Sequence, residues 1–171
     1  MAKALFITTK DIKRYSVLSG SVDPDKFIYM VEIAQDTEVQ NYLGTKLLEK
    51  LQDLILAGTI NDPANASYKT LLETYIKPMT IYWALVCYMP FAAYSVGAKG
   101  VFKGSSETAE TVDKDEVDYL VEKYRDIAQF YTNNFTSYMI YNQSLFPEYN
   151  SNSEDDIYPD TSNADFGGWV L

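Results

Sequence analysis

The stretch YIKPMTIYWALVCYMPFAAYSVGAKGVFKG, from Tyr75 to Gly104, decides how the fold is interpreted. No charged residue lies between Lys77 and Lys99, which leaves 21 consecutive uncharged positions. About 20 apolar residues can cross a bilayer as a helix, so length alone permits a membrane span. Two prolines and three tyrosines interrupt the run, however, and its solidly apolar part is only about 10–16 residues, a length more typical of a buried core helix. We therefore expect the central helix of a soluble bundle and no membrane association.

Amphipathic helices are predicted on both sides of this central helix. The first begins at Asp23 and Pro24 and runs to Gly44, and the second follows as TKLLEKLQDLILAG. A third starts near Ala66, and Pro78 should kink it or begin a new helix. The longest helix is expected from about residue 113 to 146, with Pro147 stopping it.

Three further segments break the helical pattern. Residues 4–8, ALFIT, are short, apolar and β-branched, which predicts an edge strand. Glycines at 97, 100 and 104, with Val and Phe between them, predict a β-hairpin at about 95–112. The last 25 residues carry six acids and no base, yet they keep apolar side chains. Such a segment suggests a strap that docks on its own body or on a partner.

The predicted fold class is therefore mainly α: a helical bundle with one long C-terminal helix, a glycine-rich β-hairpin insertion and an extended C-terminal tail. Residues 1–146 form the helical domain, and residues 147–171 form an acidic, aromatic docking tail.

Composition excludes several kinds of chemistry. The chain has no histidine, which removes Ser-His-Asp and Cys-His catalysis and the commonest transition-metal ligand. The single cysteine, Cys87, lies in the apolar run and is interpreted as a small buried hydrophobe. The acids at Asp113, Asp115 and Glu116, and those at 154–156, are interpreted as a helix start and a solvated strap. We therefore expect no enzymatic activity, no cofactor and no metal.

The net charge of the chain also limits the classes of partner that it can bind. The net charge of −10 disfavours base reading or tight phosphate binding. The segment GAKGVFKG does not match the phosphate-binding pattern G-x-x-x-x-G-K-[ST], so a basic hairpin tip that contacts DNA or an acidic neighbour is the better interpretation. The N-terminal apolar run is too short for a secretory signal peptide, which favours synthesis in the cytoplasm.

The sequence offers candidate interaction surfaces in place of an active site. Tyr124, Tyr131 and Tyr138 are spaced by seven on one face of the longest helix, within a rough heptad that favours core or a subunit seam. The other candidates lie at the hairpin and in the tail: Val101, Phe102, Lys103, Ile157, Tyr158, Phe166, Trp169 and Leu171.

One family resemblance follows from two packing patterns, the helix junction NYLGTKL and the helix LLETYIKPMTIYWAL. With the glycine hairpin, the long helix and the tail, they make residues 20–146 resemble head–tail connector proteins of tailed bacteriophages. These are neck adaptor or head-completion proteins, and the likeness is to those of Bacteroides-type and crAss-like phages in particular.

The resemblance implies a structural virion protein of the neck, between capsid and tail. Such adaptors form a ring of about 12 copies beneath the portal, extend the DNA channel and offer the tail a docking platform. The implied partners are other copies, the portal protein, other neck or tail proteins, and genomic DNA that passes without sequence recognition. Two alternatives stay open: a tail-side neck (tail-completion) ring protein, and a soluble acidic binding or inhibitor protein.

Overall fold

A computed structural model describes residues 3–15, 24–92, 94–97, 100–103 and 114–162. Within these ranges the chain is mainly α-helical, as predicted. The α-helices are α1 (Thr9–Tyr15), α2 (Pro24–Ala34), α3 (Gln40–Leu43), α4 (Thr45–Leu56), α5 (Ala66–Leu71), α6 (Lys77–Tyr88) and α7 (Lys114–Asn142). Among the described residues, no helix is both long enough and apolar enough to span a bilayer.

Helix α6 lies at the centre of the bundle, because the uncharged run has apolar side chains on every face. It packs against α2 and α7 and also contacts α1. Its side chains from Met79 to Val86 are buried except Tyr82, which is partly buried. The predicted central helix is thus confirmed, and the amphipathic faces of its neighbours supply the rest of the core.

Two π-helical segments interrupt the regular helices. Gln35–Val39 joins α2 to α3, and Leu72–Ile76 joins α5 to α6. Pro78 follows the second segment in the first turn of α6, where its missing N–H costs little. The proline therefore begins a new regular helix, which is one of the two predicted outcomes.

The predicted edge strand at residues 4–8 is wrong. These residues form no strand, although Ala4, Phe6 and Ile7 are buried. The buried amide of Gln35 takes the place of a neighbouring strand. Its Oε1 accepts the Phe6 N–H at 3.0 Å, and its Nε2 donates to the Ala4 carbonyl at 3.0 Å. One side chain thereby satisfies two backbone groups of this segment, a donor and an acceptor, that would otherwise need a neighbouring strand.

Two short strands follow α6 and a 3₁₀ turn at Met89–Phe91. Strand β1 (Tyr94–Gly97) pairs antiparallel with β2 (Gly100–Lys103), with Val96 opposite Val101. Residues 98–99 and 104–113 lie outside the described ranges. An extended glycine-rich hairpin over 95–112 therefore stays a prediction.

The longest helix is shorter than predicted. Helix α7 ends at Asn142, and 3₁₀ turns at Gln143–Leu145 and Pro147–Asn150 follow it. Phe146 lies between the two turns and Tyr149 lies within the second, and both side chains are buried. Turning the chain here sends residues 151–162 back along the body.

Trp83 of α6 and Thr132 of α7 make a buried polar contact in the middle of the helix pair. The Trp83 Nε1–H donates to Thr132 Oγ1 at 3.0 Å, and that hydroxyl donates to the Ala128 carbonyl. Replacing Thr132 by Val leaves the indole N–H buried without its acceptor. We expect T132V to lower the free energy of unfolding by about 1–3 kcal/mol in urea titrations.

Thr136→Val is the matched control, because the Thr136 hydroxyl donates only to backbone carbonyls of its own helix. Thr136→Val should lower the free energy of unfolding clearly less than T132V does. Equal losses in the two variants would contradict the assigned role of the Trp83 contact.

Candidate interaction surfaces

A row of stacked tyrosines fills the contact between α7 and the α5–α6 region. Tyr138 stacks on Tyr75 with ring centroids 4.2 Å apart, and Tyr131 stacks on Tyr82 at 5.3 Å with the planes 9° apart. Tyr124 lies farther from Tyr82, at 6.5 Å. Burial raises the pKa of the Tyr82, Tyr124 and Tyr138 hydroxyls. The predicted tyrosine heptad thus packs within the chain, and its rings remain only partly buried.

The solvent side of α7 carries a second set of apolar side chains. Residues 127–147 contain no charged residue, a run as long as the one at 78–98. In this run Phe130 is 53% exposed and Tyr141 is 86% exposed, and Ile127, Ile140 and Leu145 are also exposed. We call the exposed residues Ile127, Phe130, Asn134, Ser137, Ile140 and Tyr141, with Leu145 of the turn that follows, the outer face of α7. The prediction missed this surface, although its uncharged run is visible in the sequence.

A groove of about 480 Å³ connects the tyrosine row to the outer face. Its walls are aromatic rings, amides and hydroxyls, and the described lining carries no charge: Thr74, Tyr75, Tyr131, Asn134, Ser137, Tyr138, Tyr141 and Asn142. This composition resembles the contact surfaces of binding proteins, where tyrosine supplies area and Ser and Asn supply adaptable hydrogen bonds.

The first half of the tail docks on the body. We call residues 151–162 the strap. The Thr45 N–H donates to the Ile157 carbonyl at 3.0 Å, and the Ile157 N–H donates to Thr45 Oγ1 at 2.9 Å. Farther along, the Asp160 N–H donates to the Asn41 carbonyl at 2.7 Å. These bonds fix the strap across the junction between α3 and α4, which is the NYLGTKL segment of the sequence.

The strap also caps helix α4. Gly44 is the N-cap residue and has no side chain to offer. Asn152, which is 8% exposed, supplies the missing acceptor, because its Oδ1 accepts the Lys46 N–H at 3.1 Å. The Asp156 carboxylate lies 3.5 Å from Lys46 Nζ in the same turn, where the helix dipole favours an anion. A bond from the Ser153 N–H and the nearby Lys46 lower the pKa of Asp156.

The remaining predicted residues divide into two groups. Ile157 and Tyr158 lie in the strap with their side chains exposed. Val101, Phe102 and Lys103 lie in β2, where only the backbone is described. Phe166, Trp169 and Leu171 lie outside the described residues.

Glu38, in the first π-helical segment, has a half-buried carboxyl that interacts with the charge of Arg125 on α7. Burial raises the pKa of Glu38, and the charge of Arg125 offsets only part of this effect. Burial, with the Glu38 charge, also raises the pKa of the nearby Cys87 thiol, which suits a packing residue better than a nucleophile. Among the described residues, no three Cys, Asp or Glu side chains are grouped as a metal site.

Residues 39–158 match the model of a family of unknown function, DUF6712. Since the match covers more than half of the chain, the protein belongs to this family. Comparisons with curated proteins and with solved structures give no match.

Gly44 is the point where backbone conformation and strap docking meet. Its φ of 74° and ψ of 164° fall in a region that is essentially restricted to glycine. A Cβ here would also lie 2.8 Å from Asn152 Nδ2 and 2.9 Å from the Pro159 ring. We expect Gly44→Ala to lower the free energy of unfolding and to speed proteolytic cleavage within the strap.

Gly58→Ala is the control for backbone strain alone. Gly58 has a φ of 72°, and a Cβ there would meet nothing within 4 Å. Gly58→Ala should lower the free energy of unfolding by about 1–2 kcal/mol and leave the rate of strap cleavage unchanged. Similar cleavage rates in the two variants would show that Gly44 does not hold the strap.

The raised pKa of Glu38 predicts a pH-dependent stability. In the folded state its carboxyl resists ionisation, so wild-type stability falls as pH rises from the ordinary value near 4.5 through the raised pKa. Glu38→Gln removes this loss. Its free energy of unfolding relative to wild type should therefore be more favourable at pH 7 than at pH 4. A difference between Glu38→Gln and wild type that is the same at pH 4 and at pH 7 would contradict the assignment.

Proposed function

We propose that this protein is a ring-forming adaptor in the neck of a tailed phage, placed between the portal and the tail. In this role it completes the head and extends the DNA channel with about 12 copies. The resemblance of residues 20–146 to head–tail connectors supports the proposal, and so does the mainly helical bundle. The family match adds no functional information, since the function of that family is itself unknown.

The observation that carries the proposal is the docked strap. Four of its residues bond or pair with residues 41–46 at the junction of α3 and α4: Asn152, Asp156, Ile157 and Asp160. The ring of Pro159 lies close to Gly44 at the same junction. The strap then reaches α7, where Thr161 lines a cavity together with Ile140 and Gln143. The strap therefore ends at a fixed place on the body. Residues 163–171 follow in sequence and carry Phe166, Trp169 and Leu171 as candidate anchors for the portal or a neighbour.

Two further features fit a channel-forming ring. A net charge of −10 favours a channel along which DNA slides without adhering, because the overall charge of the chain repels the phosphates. The strands β1 and β2, which pair as far as Gly97 and Gly100, would form the paired part of the hairpin predicted at about 95–112. Val101, Phe102 and Lys103 would then contact a neighbouring ring or the channel.

The test compares the full chain with a variant that lacks residues 163–171 and keeps the strap. Native mass measurements are made on each protein alone and mixed with the cognate portal. We expect the full chain to join the portal in about 12 copies and the shortened chain to bind at least about tenfold more weakly, because it loses its aromatic anchors.

A matched control replaces Asn163 and Asp165 by Ala and leaves the aromatic residues in place. This variant should join the portal like the full chain. A full chain that stays monomeric and ignores the portal would contradict the neck assignment. Equal binding by the shortened chain would contradict only the role of the tail.

A further inference from the structure

We propose that the outer face of α7 is the contact surface for a second copy of this chain. The inference deepens the proposed function and rests on it in one respect, since a ring requires contacts between copies. It assigns those contacts to a surface separate from the tail.

The composition of the outer face is that of a protein contact. Charged residues make up 22% of the chain, yet none occurs in residues 127–147. On this surface Phe130 and Tyr141 are exposed among Asn134, Ser137 and aliphatic side chains. Protein interfaces are depleted of charge at their centre and enriched in aromatic residues. An exposed helix that needed only solubility would carry Lys and Glu at these positions.

The spacing along α7 predicts a row of helix-contact positions, and only every second position packs against the chain itself. Eight positions alternate by four and three residues: Leu120, Tyr124, Ile127, Tyr131, Asn134, Tyr138, Tyr141 and Leu145. Tyr131 and Tyr138 stack on tyrosines of the chain's own α5–α6 region. The alternate positions, Leu120, Ile127, Asn134 and Tyr141, are exposed, and so is Leu145 in the turn that follows α7. Alternating positions of this kind pack against a facing helix in coiled coils, and a polar residue such as Asn134 sets the register there.

Charge identifies the occupant as another copy of the chain. Two molecules of net charge −10 repel one another, so their contact is favoured where neither presents a carboxylate. The outer face satisfies this condition over the whole run 127–147. A basic protein would be drawn to the acidic surfaces instead, and nucleic acid would require cations that this run lacks.

The experiment introduces one charge at the centre of the outer face. Phe130→Glu and Ser137→Glu are compared with Tyr29→Glu, which changes an aromatic residue of similar exposure on α2. Ser137 is an exposed polar residue, so its variant tests the surface without removing an apolar group. Sedimentation velocity is measured over a concentration series, for each protein alone and mixed with the portal.

Wild type is expected to self-associate alone, on the portal, or in both samples. Phe130→Glu and Ser137→Glu should each weaken that association at least about tenfold, because a charge without a partner is buried in the contact. Tyr29→Glu should behave as wild type. The inference is overturned if wild type remains a single copy in both samples, or if the two α7 variants associate as wild type does.

The outcomes separate this inference from the neck assignment. Self-association that depends on Phe130 and Ser137, without any binding to the portal, would leave the inference standing and contradict the neck role. Binding of many copies to the portal that neither substitution disturbs would leave the neck role standing and contradict this inference.

Discussion

Burial of one uncharged helix is the constraint on which the rest of the structure depends. Between Met79 and Val86 every side chain of helix α6 except Tyr82 is buried, so nearly every side of this stretch requires a partner. Helices α2 and α7 supply the partners, together with α1. Their amphipathic faces are the consequence of this demand, because each turns an apolar stripe toward α6. The buried Trp83–Thr132 bond then fixes how α7 lies on α6.

The chain contains two uncharged runs of equal length with different surroundings. Residues 78–98 include the core helix, whereas residues 127–147 lie on a helix of which only one side is covered. The absence of charge alone does not separate the two cases. The difference is polar content, because the second run mixes its aromatic residues with Asn, Gln, Ser and Thr. Such a mixture tolerates exposure to water before a partner arrives, and it still offers area when the partner binds.

Most of the helical architecture could be predicted from local sequence, since periodicity and capping residues act over a few positions. The confirmed features include the start of α2 at Pro24, the helix α4 and the central α6. The expectations that were wrong or missing depend on distant partners. The strand expected at residues 4–8 ignored the side chain of Gln35, which satisfies that backbone from 29 and 31 residues away. The cap that Asn152 places on α4 joins residues 106 positions apart, so no local sequence pattern predicts it.

That long-range cap has a consequence for the order of biosynthesis. The ribosome makes the start of α4 early, but the residue that completes it emerges more than a hundred positions later. At about 5–20 residues per second, the helix end waits on the order of 5–20 seconds for its acceptor. A truncated translation product would therefore keep an open helix start and lack the strap. The surface completed by the strap exists only on chains that extend through residue 160, which gives any assembly built from it a means of quality control.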